Sequence, residues 1–312
     1  MNLKKYILKR ILIAVVTLFL ITLILFVMEK AMPGSPFNDE KMSHAQVAAL
    51  YRKYGLDGPI PIQFFNYLKN MITGDFGVSY TVQVNTPVTT MIFQHFTISL
   101  QIGLQATVLG SILGFFMGVL AAIKQGSIWD NLMTGISVLG ISLPNFVVAL
   151  IVSLLFSYKL MVFPGTYQQT QPFASTILPT IALSTFTMAS IERYVRNDMI
   201  TIMDSDYYRL ADSKGIKKYQ LILHHVIRNT LISVITVLAP LMIDLIAGSM
   251  VIEKAFAIPG LGTLYISAIQ ANDYNVVLGI TFFYAVLFIG IMLVVDILYG
   301  LIDPRIRLDE GE

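Results

Sequence analysis

The side chains able to do chemistry are few and scattered along the chain. Asp244 stands alone in an otherwise apolar run from Leu231 to Ile252. An ionised carboxylate at bilayer depth is costly unless it is paired or faces water. Two readings follow: Asp244 lines a pathway and attracts a substrate ammonium, or it closes an internal polar contact, to Ser249 or to a partner helix. Asp296 lies nearer the end of its own apolar run and reads as solvated or paired. His224 and His225 are adjacent, so on a helix they diverge by about 100° and chelate poorly. They read as packing residues. The chain has no cysteine, which removes disulfides, thiolate metal sites and cysteine nucleophiles. It contains neither a G-x-x-x-x-G-K-[ST] phosphate loop nor an H-E-x-x-H zinc motif, and no Ser–His–Asp grouping is visible.

The elements that must position these groups are membrane helices. Of 312 residues 55% are hydrophobic and 13% charged, with mean hydropathy +0.71. Soluble domains carry about 25% charged residues, so much of this surface faces something other than water. A span needs roughly 20 apolar residues, and six segments qualify: Ile11–Met28, then stretches within Phe96–Ile123, Leu132–Tyr158, Phe173–Ile191, Leu231–Ile252 and Val276–Ile302. The first has Lys4, Lys5, Lys9 and Arg10 before it, like the front of a signal peptide. It is long for one, and Met32-Pro33-Gly34 is a poor cleavage site; we read a retained helix. Pro144 and Pro240 interrupt their helices and bend them. Gly103, Gly110, Gly114 and Gly118 fall mostly on one stripe of the second span, a pattern for close helix approach, within the chain or to a second subunit. A net charge of +2 gives no electrostatic support for nucleic-acid binding. No internal repeat signals an inverted-repeat transporter.

Charge sets the orientation. With the N-terminus in the cytoplasm, the inner segments carry Lys4, Lys5, Lys9, Arg10, Lys124, Arg193, Arg196, Arg209, Lys214, Lys217, Lys218, Arg228, Arg305 and Arg307, while the short outer loops carry only Lys159 and Lys254. Both termini are expected inside. Two segments outside the bilayer exceed simple turns. The outer one, from Glu29 to about His95, has turn signals at Pro33-Gly34-Ser35-Pro36, Gly55-Leu56-Asp57-Gly58-Pro59 and Gly74-Asp75-Phe76-Gly77. Amphipathic stretches at Ala45–Tyr54 and Gln63–Met71 lie between these signals, and we read a small folded lobe. The inner one, from about Glu192 to Asn229, reads as a helix entered at Asp204 or Ser205 and broken at Gly215, then a second helix from about Lys217 to Asn229.

At this inner loop, Asp206-Tyr207-Tyr208-Arg209-Leu210-Ala211-Asp212-Ser213-Lys214-Gly215, followed by His225, Arg228 and Asn229, resembles the EAA loop of binding-protein-dependent ABC permeases. It looks most like the peptide branch, whose pattern is roughly D-Y-x-R-x-A-x-x-K-G with H-x-x-R-N further on. Met32-Pro33-Gly34, Gly55-Leu56-Asp57 and Gly74-Asp75-Phe76-Gly77-Val78-Ser79 are similar to that subfamily. So are Val251-Ile252-Glu253-Lys254-Ala255-Phe256 with Pro259-Gly260-Leu261-Gly262, and the close Asp303-Pro304-Arg305. Arg209 and Leu210 stand where the wider family has Glu and Ala, and Asn229 where it has Pro.

The resemblance implies an all-α integral membrane protein with the type I ABC importer permease fold, of the oligopeptide/dipeptide (peptide/nickel) B type. Its expected organisation is an N-terminal helix over 1–30, an extracytoplasmic lobe over 31–95, a permease domain over 96–303 with the coupling loop at about 203–229, and a cytoplasmic tail over 304–312. The expected site is a coupling surface for an ATPase subunit: Tyr207, Tyr208 and Leu210 as anchors, Arg209 and Lys214 pairing with acids at the rim, Ala211 between them, and Gly215 for the turn. The implied partners are a second homologous permease, two cytoplasmic ATP-binding subunits that hold ATP and Mg, an extracytoplasmic substrate-binding protein and the bilayer of a bacterial cytoplasmic membrane. The chain itself is expected to hold no cofactor and to catalyse nothing. The implied cargo is short peptides, with nickel or a metal chelate as the alternative. An ion-coupled secondary transporter is the competing reading from a different class.

Overall fold

The computed structural model describes residues 3–31, 43–53, 55, 57–248 and 250–302, except the side chains of residues 3–5, 29, 232, 236, 239, 243, 244, 246–248, 296 and 298–302. Among these residues the regular structure is helical: α1 Leu3–Ala31, α2 His44–Lys53, α3 Ile60–Ile72, α4 Val88–Ile123, α5 Ile128–Ser142, α6 Asn145–Val152, α7 Pro172–Met203, α8 Asp206–Ser213, α9 Lys218–Leu221, α10 Arg228–Gly248, α11 Met250–Ala255, α12 Leu261–Gln270 and α13 Tyr274–Ile302. Helices satisfy their own backbone groups, which hydrocarbon cannot do. Four helices are long and apolar enough to cross a membrane, at Tyr6–Met28, Val88–Ile123, Pro172–Met203 and Tyr274–Val295, and a fifth if the bent pair α5–α6 makes one span. The expected fifth span corresponds to α10.

Several boundaries differ from expectation, each for a local reason. The stretch read as one span over Leu132–Tyr158 breaks at Leu143–Pro144, where two helical pieces meet at 107°. Proline bars the residue before it from helical conformation, and Leu143 is extended, at ψ 126°. The fourth span does not stop near Ile191 but runs on to Met203, with Pro179 accommodated inside it. The second helix of the inner loop does not stop at Asn229. α9 passes through a wider π-type turn at Ile222–Ile227 straight into α10, which keeps Pro240 within it.

The chain divides into two compact units. One comprises residues 1–98 and 259–312, the other 99–258. In the first, α1 packs along α13 and α12 against α13. Its core holds Val88, Met91, Ile92, Leu261, Leu264 and Ile280. The loop from Gly74 to Pro87 is fastened by one carboxylate. Oδ2 of Asp273, fully buried, accepts from Ser79 Oγ at 2.5 Å and from the backbone N–H groups of Tyr80, Thr81 and Val82 at 3.0, 2.9 and 3.1 Å. Asn275 Nδ2 donates to Val78 O at 2.9 Å, and its amide fills the space beside Gly77, whose φ of +75° suits glycine.

In the second unit the glycine stripe is spent within the chain. A Cβ on Gly110 would lie 2.7 Å from Ser184 O, one on Gly118 2.7 Å from Glu192 O, and one on Gly114 would run into Met188 O. The backbones of α4 and α7 therefore touch through three successive turns. Gly114→Val is expected to abolish a monodisperse folded species in detergent, as read by size-exclusion chromatography, whereas Gly135→Val, with open space around it, is expected to leave that profile intact. Asp273→Ala is expected to raise hydrogen exchange at the amides of Tyr80, Thr81 and Val82 by at least tenfold, because three partly buried donors lose their acceptor.

Candidate functional site

The loop between α7 and α10 forms a short two-faced helix. Ser205 occupies the N-cap of α8 in extended conformation. Its hydroxyl turns back to Ile202 O rather than capping the helix, and Asp206 in the first turn supplies the favourable negative charge instead. At the other end Lys214 is the C-cap. Gly215 takes the left-handed conformation, φ +76°, with its N–H on Asp212 O at 2.9 Å. This is the geometry that a glycine just past a helix provides.

The structure places all seven expected site residues on this helix or its C-terminal turn. Tyr207, Leu210, Ala211 and Lys214 recur at helical spacing on one face; Tyr207 is 44% and Leu210 59% exposed. Arg209 is exposed on a neighbouring face. Tyr208 points the other way. It is half-buried and packs on the core cluster of Ala122, Ile191, Val195, Met199 and Val226. Burial, with the charge of Asp212 adding, raises its hydroxyl above the ordinary phenol range. Asn229 Nδ2 donates to Tyr207 Oη at 3.1 Å, which ties α8 to the first turn of α10. Tyr219 and Leu223, at 57% and 54% exposed, add apolar surface on the adjoining helical segment. The sequence reading passed them over because they lie outside the motif.

A second group behind this loop was also passed over. Asp130, almost fully buried, receives Arg196 Nε at 2.6 Å and Nη2 at 2.9 Å in a two-pronged ion pair. The pair joins the start of α5 to α7, two turns before α7 ends. The local signal was present in the sequence: Ser127-Ile128-Trp129-Asp130 has capping-box spacing. Ser127 Oγ accepts from Asp130 N, and Asp130 Oδ2 accepts from Gly126 N at 2.9 Å. One turn before Arg196, Glu192 is fully buried and faces the buried hydroxyl of Ser137 on α5.

Asp244 lies on α10 and Asp296 on α13, with both side chains outside the described residues. Ser249, Met32-Pro33-Gly34, Leu56, Asp303-Pro304-Arg305 and the tail are outside them too. His224 Nδ1 faces Gln220 O at 3.2 Å. Among the described residues no cluster of His, Cys, Asp or Glu could hold a metal ion. Glu253, from the second motif, is buried and accepts from Ser99 Oγ at 2.6 Å. Phe256 O accepts from Tyr167 N at 2.8 Å.

The arrangement offers a rigidly seated helix with an apolar outward face at the end of a membrane bundle. Residues 110–308 match the family of the binding-protein-dependent transport system inner membrane component, and residues 3–105 match its N-terminal membrane component. The chain is 42% identical to the dipeptide transport system permease protein DppB of Lactococcus lactis subsp. cremoris, over 97% of this chain and 99% of the relative. It is 38% identical to the oligopeptide transport system permease protein OppB of Escherichia coli K12, over the same shares. Among solved structures it is similar to the MetNI methionine ABC transporter, with TM-score 0.54 and 15% identity over 69% of this chain and 97% of that one. It is also similar to an amino acid ABC transporter, with TM-score 0.56 and 13% identity over 69% and 95%. This chain belongs to the family of inner-membrane components of binding-protein-dependent transport systems.

Breaking the ion pair behind the loop leaves Arg196 without its acceptor. Asp130→Asn is expected to cost about 2–3 kcal/mol, seen as a fall in apparent melting temperature in detergent well beyond that of the exposed Asp204→Asn. Combining it with Arg196→Gln is expected to recover part of the loss.

Proposed function

We propose that this chain is a permease subunit of an ATP-driven importer that moves short peptides across the cytoplasmic membrane, and that α8 is the element its ATPase partner grips. The observation that carries the reading is the division of labour on α8: Tyr208 is seated in the chain's own core while Tyr207 and Leu210 project outward. Aromatic and apolar anchors of this kind dominate interface energies, and Arg209 with Lys214 supplies rim charge that steers an acidic partner. The full-length relatives named for dipeptide and oligopeptide transport support peptides as cargo.

In this reading both termini lie in the cytoplasm, which puts α8 on the ATPase side. Two ATP-binding subunits hold and hydrolyse the nucleotide; this chain contributes no phosphate loop. Closure of the ATPase pair displaces α8. Because α8 is bound to α7 through Tyr208 and to α10 through the Tyr207–Asn229 hydrogen bond, the displacement passes to the bundle as a rigid-body motion and opens the opposite mouth toward a loaded substrate-binding protein. A second, homologous permease completes the pathway. The glycine stripe of α4 is already covered by α7, so that second subunit meets a different surface. The apolar groove of about 600 Å³ bordered by Leu104, Val108, Ile112, Phe173 and Ile177 is the matching candidate.

Replacing both Tyr207 and Leu210 with Ala is expected to reduce co-purification of the ATPase subunits, and uptake of labelled dipeptide, by at least tenfold, with membrane levels of the chain unchanged. Uptake at wild-type rates in that double variant would remove α8 from the coupling role. Loss of nickel uptake with peptide uptake intact in a strain lacking the chain would change the cargo and not the class.

A further inference from the structure

α3 divides into three faces. One packs inward. The Phe64 ring lies 6.0 Å from Phe19 and 5.3 Å from Phe26 of α1, the Tyr67 ring lies 5.9 Å from Phe26, and Met71 is buried. A second face is polar: Gln63, Asn66 and Asn70 border an open cavity of about 520 Å³. The third is apolar and exposed. Ile62, Phe65 and Ile72 recur there at helical spacing, with Phe65 68% and Ile72 77% exposed. Lys69, also exposed, stands among them.

On a lobe surrounded by water, such a face would mark a protein interface. Its depth points to a different partner. The apolar span of α1 runs to Met28. Phe26 lies two residues before that end and Phe19 nine, about 3 and about 13 Å along the helix axis. Phe64 packs against both rings, so the middle of α3 lies between those depths, alongside the membrane-embedded part of α1 and not above it. An amphipathic helix seated in a leaflet buries its apolar face about 5–10 Å into the boundary, which is the same range. At this level α1 itself exposes Leu20, Ile24 and Val27, a surface that a spanning helix gives to hydrocarbon. α3 thus presents its apolar face where its neighbour already meets lipid. Lys69 is compatible with that seat, because a lysine stem covers apolar surface while its ammonium reaches the headgroups.

We propose that α3 is an interfacial helix, and that the partner of its Ile62–Phe65–Ile72 face is the acyl chains of the leaflet in which α1 ends. The contact is apolar and therefore indifferent to headgroup charge. It requires that α1 crosses the membrane and uses nothing of the transport reading. Part of the segment expected as an extracytoplasmic lobe is thereby seated in the bilayer.

The test uses the full-length chain, with the subunits that co-purify, in phosphatidylcholine nanodiscs. The chain has no cysteine, so Phe65→Cys, Ile72→Cys and Asn70→Cys each provide a single site for a bimane label. The quenchers are a lipid with a doxyl group near the headgroup end of its acyl chain, and soluble iodide. The labels at 65 and 72 are expected to be quenched at least about threefold more by the doxyl lipid than by iodide, and the label at 70 in the reverse order. A second arm uses the wild-type chain and depends on no variant folding. Phosphatidylcholine carrying a diazirine on its acyl chain is expected to give photoadducts within residues 60–72, in equal yield when phosphatidylglycerol replaces part of the bulk lipid. Stronger quenching by iodide at 65 and 72 would put the face in water and overturn the proposal. Resistance to both quenchers, with no adduct within residues 60–72, would assign the face to a covering protein surface and overturn it equally. Adducts that appear only with phosphatidylglycerol would replace the apolar seat with a headgroup site.

Discussion

The close approach of α4 and α7 is the constraint on which the second unit depends. In lipid the hydrophobic effect does not press helices together, and association rests on backbone proximity and polar contacts. Gly110, Gly114 and Gly118 remove the Cβ atoms of α4 over three turns, so that the α7 backbone and the Cβ atoms of Thr187, Ile191 and Val195 come right up to it. α7 runs as one helix from Pro172 to Met203 with Pro179 inside it, and the loop helix α8 follows its end. Asp130 reaches α7 from α5 and holds Arg196 with two hydrogen bonds, which prevents rotation of the helix at the level just above the loop. The orientation of α8 is therefore set by contacts made within the chain before any partner arrives.

Much of this was legible in the sequence, and the part that was not has a physical explanation. The apolar runs located the spans because hydropathy is a composition signal over about 20 residues. The turn at Gly215 was legible because a left-handed residue after a helix has few alternatives to glycine. The glycine stripe announced a close contact but could not say against what, since the partner of a smooth face is a tertiary fact. The break at Leu143–Pro144 was read as a bend. Proline signals the interruption, but the angle of 107° depends on what each half packs against, which for both is α7. The Asp130–Arg196 pair joins residues 66 apart, and no local pattern pairs a capping acid with one arginine among many. The direction of Tyr208 was hidden for a similar reason. Adjacent tyrosines on a helix differ by about 100°, and only the core shows which of the two is inside.

Asp273 and Glu192, two of the buried acids, meet the same problem differently. Asp273 takes four donors from the loop it fastens on Oδ2 while its Oδ1 has no hydrogen-bond partner, and through Oδ2 alone it acts as a structural rivet. Glu192 is as deeply buried, with only the Ser137 hydroxyl beside its carboxylate, one turn from a guanidinium already committed to Asp130. Burying a carboxyl away from full hydrogen bonding is costly, and here the α5 hydroxyl and the nearby arginines offset only part of that cost. Glu192 lies on the same helix that carries α8. Glu192 therefore sits one turn before the Asp130–Arg196 pair and against Gly118, at the stretch of α7 that α4 and α5 both hold.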